Sequence, residues 1–399
     1  MINQPFFISR LPQIHFGSGT LSKLVDIVNE RNDKRVLLIT GYQSFHNSPA
    51  WQNLIHKLTS HSIEWWHTTV ANEPSPQLVD EIVAQFKNHK IQLVVAIGGG
   101  SVMDAGKAIA GLLPFGNTVM DHLEGVGKGI PYLGPATAFI AVPTTAGTGS
   151  EATKNAVLTH QGPNGYKKSF RHDTLVPSYA IVDPDLLASC PAKLVAANGM
   201  DAFTQLLESY VSTGANPLTD ALAFSGMQAI HKGFVSAWEN AEENHACEGR
   251  TAMAYAALLS GITLAQAGLG AVHGLAAPLG AFFPIGHGEV CGSLLAAATE
   301  INLNAMNERE PNNPALEKYA EVGRMLSEQH HLTTKQAHTA LLDQLKDWTL
   351  RFQIPTLSKL GIQAEDFDKI VANSRGNSMK SNPIHLSDEE VLAILKLAA

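Results

Sequence analysis

The stretch Leu93-Val94-Val95-Ala96-Ile97-Gly98-Gly99-Gly100-Ser101-Val102-Met103-Asp104-Ala105-Gly106-Lys107 decides how the chain is read. Five consecutive apolar residues, Leu93 to Ile97, fit a strand buried on both faces of a parallel sheet. Three glycines then strip every side chain from the strand's carboxyl end. Ser101 and Asp104 have the spacing of a helix amino-terminal cap with an acid in the first turn. Strand, bare turn and helix start together predict an anion cradle, with backbone N–H groups facing a phosphate. Neither common phosphate fingerprint is present. A Walker loop needs glycine at Ser101 and a hydroxyl at Ala108, and G-x-G-x-x-G needs glycine at Met103.

Outward from that stretch, β-α alternation repeats. Arg35 to Thr40, Ile63 to Val70, Ala138 to Val142 and Tyr179 to Val182 read as strands; Leu21 to Asn29 and Pro76 to Lys87 read as helices. Pro143-Thr144-Thr145-Ala146-Gly147-Thr148-Gly149-Ser150-Glu151 is a hydroxyl-rich loop of small residues, suited to wrapping a polar ligand. From Pro191 the pattern becomes helical: Pro191 to Val211, Pro217 to Glu239, Arg250 to Gln266, Glu289 to Asn302, Pro314 to Glu328, Thr334 to Phe352 and Asp388 to Leu397. The expected fold is an α/β nucleotide-binding domain, residues 1–190, followed by an all-helical domain, residues 191–399. A chain of 399 residues favours such a division.

Bulk composition narrows the function. With 45% hydrophobic and 16% charged residues the chain is suited to a packed core. A net charge of −8 and no basic run argue against a nucleic-acid partner. Cys190, Cys247 and Cys291 are odd in number and form no CxxC, which suits a reducing cytoplasm rather than a disulfide frame. No secretory signal opens the chain. Thr251 to Gly288 carries no acid, lysine or arginine, but polar residues, glycines and two prolines mark it as a buried core helix and a glycine-rich turn, not a membrane span.

Asp201 and Gln205, four apart on a helix, share a face. His273 and His287 flank the turn Gly280 to Gly286. A carboxylate and imidazoles in such apolar surroundings need partners, and one divalent cation would satisfy Asp201, His273 and His287 together. Such a set suits Fe(II) or Zn(II).

Gly98-Gly99-Gly100-Ser101-x-x-Asp104-x-x-Lys107, Pro143 to Glu151, Gly199-Met200-Asp201-Ala202 and His273-Gly274 with His287, in this order, resemble the iron-containing (group III) alcohol dehydrogenases. The similarity runs from Phe16-Gly17-x-Gly19 to Met379-Lys380-x-Asn382-Pro383. It implies a catalytic cleft between the two domains, hydride exchange between an alcohol or aldehyde and NAD(P), and a homodimer or larger homo-oligomer. It also implies that the metal polarises the substrate oxygen. Gly98, Gly99, Gly100 and Ser101 would hold the pyrophosphate, Asp104 would sit near the cofactor, and Thr144, Thr145 and Thr148 would line the ribose and adenine region. Lys167 would reach the nicotinamide ribose, with a catalytic role beside His273 and His287; Asp201, His273 and His287 match metal ligands.

Two departures stand out. Gln205 occupies the place of a fourth ligand, histidine, and an amide oxygen is a poorer ligand for these metals; related glycerol dehydrogenases use one aspartate and two histidines for zinc. Ala277 replaces another histidine and widens an apolar pocket with Phe282 and Phe283. Together they suggest a branch related also to the maleylacetate reductases, which leaves a second reading. That reading is a keto-acid reductase, able to work without metal, with Lys168 and Arg171 on a loop beyond Tyr166 as carboxylate holders. A dehydroquinate-synthase-like lyase is disfavoured, because Ala271 to Val290 has no lysine or arginine for a phosphate ester. At the adenosine end, Gly41, followed by Tyr42, Gln43 and Ser44, stands where an acid would select NAD; the lean is to NADP(H).

Overall fold

The computed structural model describes residues 5–42, 45–241 and 248–399. Strands β1 (Gln13–Phe16), β2 (Arg35–Gly41), β3 (Glu64–Val70), β4 (Leu93–Gly98), β5 (Ala138–Pro143) and, after a hairpin, β8 (Tyr179–Val182) form one sheet in the order β1-β8-β5-β4-β2-β3. Every pairing in it is parallel. Helices α1 (Lys23–Glu30), α2 (Pro49–Ser60), α3 (Pro76–Phe86) and α4 (Gly100–Leu112) connect or follow these strands.

The apolar runs of the central strands are explained by burial on both faces. Leu37, Ile39, Val94, Ala96, Phe139 and Ala141 pack into one core with α3 and α4. The alternating residues Val36, Leu38, Leu93, Val95, Ile97, Ile140 and Val142 pack into another with α1 and α2. Successive side chains point to opposite faces, so a strand feeding two cores cannot alternate with polar residues.

Residues β6 (Asn155–His160) and β7 (Tyr166–Arg171) form an antiparallel hairpin that no sequence expectation foresaw. Its buried Ala156, Leu158 and Phe170 lie against the α3–α4 core. Lys168 and Arg171 therefore stand on a strand, not on a loop. From Ala192 the chain is helical: α5 (Ala192–Val211), α6 (Pro217–Glu239), α7 (Glu248–Ala267), α8 (Ala271–Phe282), α9 (His287–Arg309), α10 (Pro314–Ser327), α11 (Thr334–Arg351), α12 (Phe367–Ala372), α13 (Asn377–Lys380) and α14 (Asp388–Ala398). These helices share a third core.

Two local expectations are corrected. The cap of α4 is Gly99, not Ser101, which lies inside the first turn, and Asp104 falls beyond that turn. Glycine caps here because Thr145 and Thr148 stand against the backbone: a Cβ on Gly100 would come within 2.9 Å of Thr148. The uncharged stretch is two helices, α7 and α8, bent by 101° between Ala267 and Ala271. Pro278 lies inside α8, whose first turn carries His273, and the break at residues 283–286 separates it from His287 on α9. Among the described residues no single helix is long and apolar enough to cross a membrane.

The two halves meet where the loop after β5 touches α7. Gly149 takes a positive φ of 58°, and a Cβ on Gly261 would fall 1.9 Å from its carbonyl oxygen. Backbone touches backbone there. Lys107 fixes the same loop from the sheet side. It is fully buried, and its Nζ donates to Ser150 Oγ at 2.6 Å, Thr153 Oγ1 at 2.8 Å and the Asn155 carbonyl at 2.8 Å.

Replacing Lys107 with methionine keeps the volume but leaves three buried acceptors without their donor. Urea unfolding is expected to show a loss of about 3 kcal/mol; an unchanged midpoint would mean the ammonium contributes nothing to the loop.

Candidate metal centre and nucleotide cleft

A cleft of about 1450 Å³ runs between the carboxyl end of the sheet and the helical half. It exceeds the 300–1,000 Å³ usual for a single small ligand, leaving room for a dinucleotide and a substrate. Gly99, Gly100 and Ser101 line its sheet side together with Asp104, Thr145 and Thr148. The register that places Gly98 beside Pro143 brings the glycine turn against the hydroxyl loop. The first N–H groups of α4 have no acceptor within the helix, and the helix dipole adds to their pull on an anion. A Cβ at Gly98 would meet Val102 at 2.5 Å, so the turn can lie this flat only without side chains. Asp104 accepts from Ser150 Oγ at 2.6 Å and lies 3.6 Å from Lys107, which ties it to the wall of the cleft.

Some expected cofactor residues stand back from the cleft. Gly98 closes β4 and Thr144 is buried, donating its N–H to the Gly98 carbonyl; neither is a lining residue. Gly41 ends β2 away from the lining, and Gln43 and Ser44 lie outside the described residues. Lys167 does line the cleft, on β7, and its Nζ contacts Glu73 Oε2 at 2.9 Å. Glu73, which also accepts from Thr159, was not foreseen. Burial would raise its pKa, but Lys167 outweighs that and holds it below the ordinary value. Ala277 and Phe282 line the cleft; Phe283 turns into the helical core instead.

On the helical side Asp201, His273 and His287 converge. Asp201 Oδ1 lies 3.3 Å from His273 Nε2 and 3.6 Å from His287 Nε2. The carboxylate is 1% exposed, yet Oδ1 has no hydrogen-bond partner. His273 explains why. Its Nδ1 lies 2.6 Å from Glu208 Oε2, so Nδ1 carries a proton and Nε2 is left facing the Asp201 oxygen. Only positive charge between them, a proton or a metal ion, removes that conflict. The donor set fits a divalent cation.

Electrostatics agree with this. Burial would raise the pKa of Asp201, but His287, His273 and Gln205 bring it down to about 2. Burial works against charge on His273, yet Cys291, Glu208 and Asp201 carry its pKa well above the imidazole norm. His287 moves the other way, to about 4, because burial outweighs the pull of Asp201. It is therefore neutral at pH 7.

Gln205 stands beside this set and lines the cleft. It is buried on the same face of α5, but its Oε1 accepts from Ser260 Oγ at 3.0 Å, and Ser260 in turn lies 3.3 Å from the Gly147 carbonyl. The amide thus braces the metal helix against α7 and the hydroxyl loop. A fourth side chain was overlooked. Cys291 follows His287 by one turn of α9, and the four donor atoms of Asp201, His273, His287 and Cys291 lie within 4.8 Å of one another. Burial pushes its thiol up to about 12. Glu208 was also overlooked, although it follows Asp201 by two turns on the inner face of α5. Its Oε1 accepts the Val272 N–H at 2.7 Å, so one carboxylate seats both the start of α8 and the ring of His273.

Comparison with known proteins adds a family. Residues 12–184 match the family model described as iron-containing alcohol dehydrogenase, and residues 195–399 match that of the Fe-containing alcohol dehydrogenase family, C-terminal. The chain is 30% identical over 393 residues to alcohol dehydrogenase 4 of Saccharomyces cerevisiae, covering 97% of each chain. It is 33% identical over 398 residues to the NAD-dependent methanol dehydrogenase of Bacillus methanolicus, covering 98% of this chain and 99% of that one. The crystal structure of a 1,3-propanediol oxidoreductase superposes with a TM-score of 0.89 at 30% identity, covering 99% of this chain and 100% of the other.

Glu208→Gln keeps the shape but exchanges the anion that holds His273. Chelator-competition titration is expected to show metal affinity about 10–100-fold weaker, together with a lower melting temperature because the amide keeps only one of the two acceptors; unchanged affinity would leave Glu208 only a structural role.

Proposed function

The chain belongs to the iron-containing alcohol dehydrogenase family, and from that premise we propose how its own residues carry out hydride exchange between an alcohol and NAD(P). It is an oxidoreductase acting on CH–OH groups. The observation that carries the reading is that Asp201, His273 and His287 converge on the same cleft as the Gly99–Gly100 turn. When bound, a divalent cation, Fe(II) or Zn(II), supplies Lewis acidity toward the alcohol or carbonyl oxygen, and the nicotinamide supplies the hydride site. Asp201, His273 and His287 would hold that cation. Gly99, Gly100 and Ser101 anchor the pyrophosphate, with Thr145 and Thr148 behind them. Lys167, held by Glu73, faces the cleft where a ribose hydroxyl can bond it. Ala277 and Phe282 leave the substrate end apolar, which excludes water from the reacting carbon.

The keto-acid reading is not favoured. Of its two proposed carboxylate holders, Lys168 and Arg171, the latter already pairs with Glu124 at 2.7 Å. For the nucleotide, β2 ends on Gly41 with no carboxylate at that position to repel a 2′-phosphate, so the lean is to NADP(H). The unpaired thiols Cys190 and Cys291 fit a cytoplasmic enzyme, which we take to act as a homodimer or larger homo-oligomer.

Chelated protein should lose alcohol-dependent reduction of NAD(P)+, followed by nicotinamide absorbance, and regain it with Fe(II) or Zn(II). His287→Ala should cost about 10³-fold in kcat/KM. Full activity in metal-free protein would overturn the metal's part in the reading.

A further inference from the structure

We propose that Cys291 is a fourth protein ligand of the metal, taking as thiolate the place that Gln205 leaves. The inference rests on the metal reading of Asp201, His273 and His287 and goes beyond it.

The argument is one of distances. A tetrahedral ion with bonds of about 2.0–2.1 Å to nitrogen or oxygen and about 2.3 Å to sulfur separates its donors by about 3.4 Å for two N/O atoms and about 3.6 Å for nitrogen and sulfur. Asp201 Oδ1 stands 3.3 Å from His273 Nε2 and 3.6 Å from His287 Nε2. Cys291 Sγ stands 3.8 Å from each of the same two nitrogens. Four edges of the polyhedron therefore lie near the required lengths before any ion is placed.

Two further observations point the same way. The amide oxygen of Gln205 accepts from Ser260, and an amide oxygen is a poorer ligand for these metals than a thiolate. Asp201 Oδ1 is buried, unpartnered and aimed into the space the sulfur closes. His287 and Cys291 are four apart at the start of α9, the spacing that sets two side chains on one helix face. Cys291 itself is wholly buried at the edge of the helical core, with its sulfur turned to the two imidazoles.

The chemistry differs from an all-oxygen-and-nitrogen site. One carboxylate and one thiolate balance a divalent charge, and the soft sulfur favours Zn(II) or Co(II) over Mn(II) and Mg(II). A shell closed by four side chains leaves the substrate oxygen to enter as a fifth donor, an expansion that zinc tolerates.

Co(II) reads this directly. Anaerobically loaded wild-type protein should show visible d–d bands and an intense near-ultraviolet sulfur-to-cobalt charge-transfer band. Cys291→Ser should still bind one Co(II) with d–d bands, lose the charge-transfer band, and bind the metal at least about 10-fold more weakly. A wild-type spectrum with d–d bands and no charge-transfer band overturns the thiolate ligand while leaving the three-ligand metal reading standing. A charge-transfer band that survives in Cys291→Ser also overturns it. Failure of the wild type to take up Co(II) overturns both readings together.

Discussion

A buried carboxylate oxygen with no hydrogen-bond partner is the constraint around which the helical half is arranged. Leaving Asp201 Oδ1 in this state would cost on the order of 1–3 kcal/mol or more, since a charged group is involved. The surrounding residues do not relieve it; they maintain it. Glu208 accepts the Nδ1–H of His273 on the far side of the ring, which leaves Nε2 facing the Asp201 oxygen with only a proton or a metal ion to go between them. His287 arrives from another helix in its neutral form. Three helices that share one core thus deliver electron pairs to a point where a hydrogen-bond donor would otherwise be expected.

Lys107 shows what the chain does with a buried charge it does not want to use. Its ammonium is as inaccessible as Asp201, yet all of its donors are engaged: two hydroxyls and a carbonyl from the loop that lines the cleft. Burial alone does not distinguish a structural ion from a functional one. Saturation of partners does. By that criterion Lys107 braces the scaffold, and Asp201 is the group left open to a cation.

What could be read from the chain follows from which signals are local. The strand Leu93–Ile97, the glycine turn and the long helices were legible because burial on two faces and helical periodicity write themselves into consecutive residues. The hairpin of β6 and β7 was not: Tyr166-Lys167-Lys168-Ser169-Phe170-Arg171 buries a single apolar side chain, Phe170, so the stretch reads as a polar loop. The start of α8 was hidden by Gly270, Gly274 and Pro278, residues usually taken as breaks. Asp201, His273 and His287 were legible by type. Gln205 was read by its place beside Asp201, but its partner Ser260 is fifty-five residues away and invisible to spacing. Cys291 and Glu208 did carry a signal, at four residues from His287 and seven from Asp201, and periodicity on a helix face was enough to find them.

The contact between Gly149 and Gly261 bears on how such an enzyme breathes. Because no side chain separates the loop of the sheet half from α7, the two halves cannot slide past one another at that level without a backbone collision. What remains open to them is rotation about the contact itself. Any relative movement of the nucleotide turn and the ligand helices is then confined to rotation about this contact. Widening at the mouth then changes the distance between the nucleotide turn and the ligand helices far more than it disturbs the loop that holds Lys107.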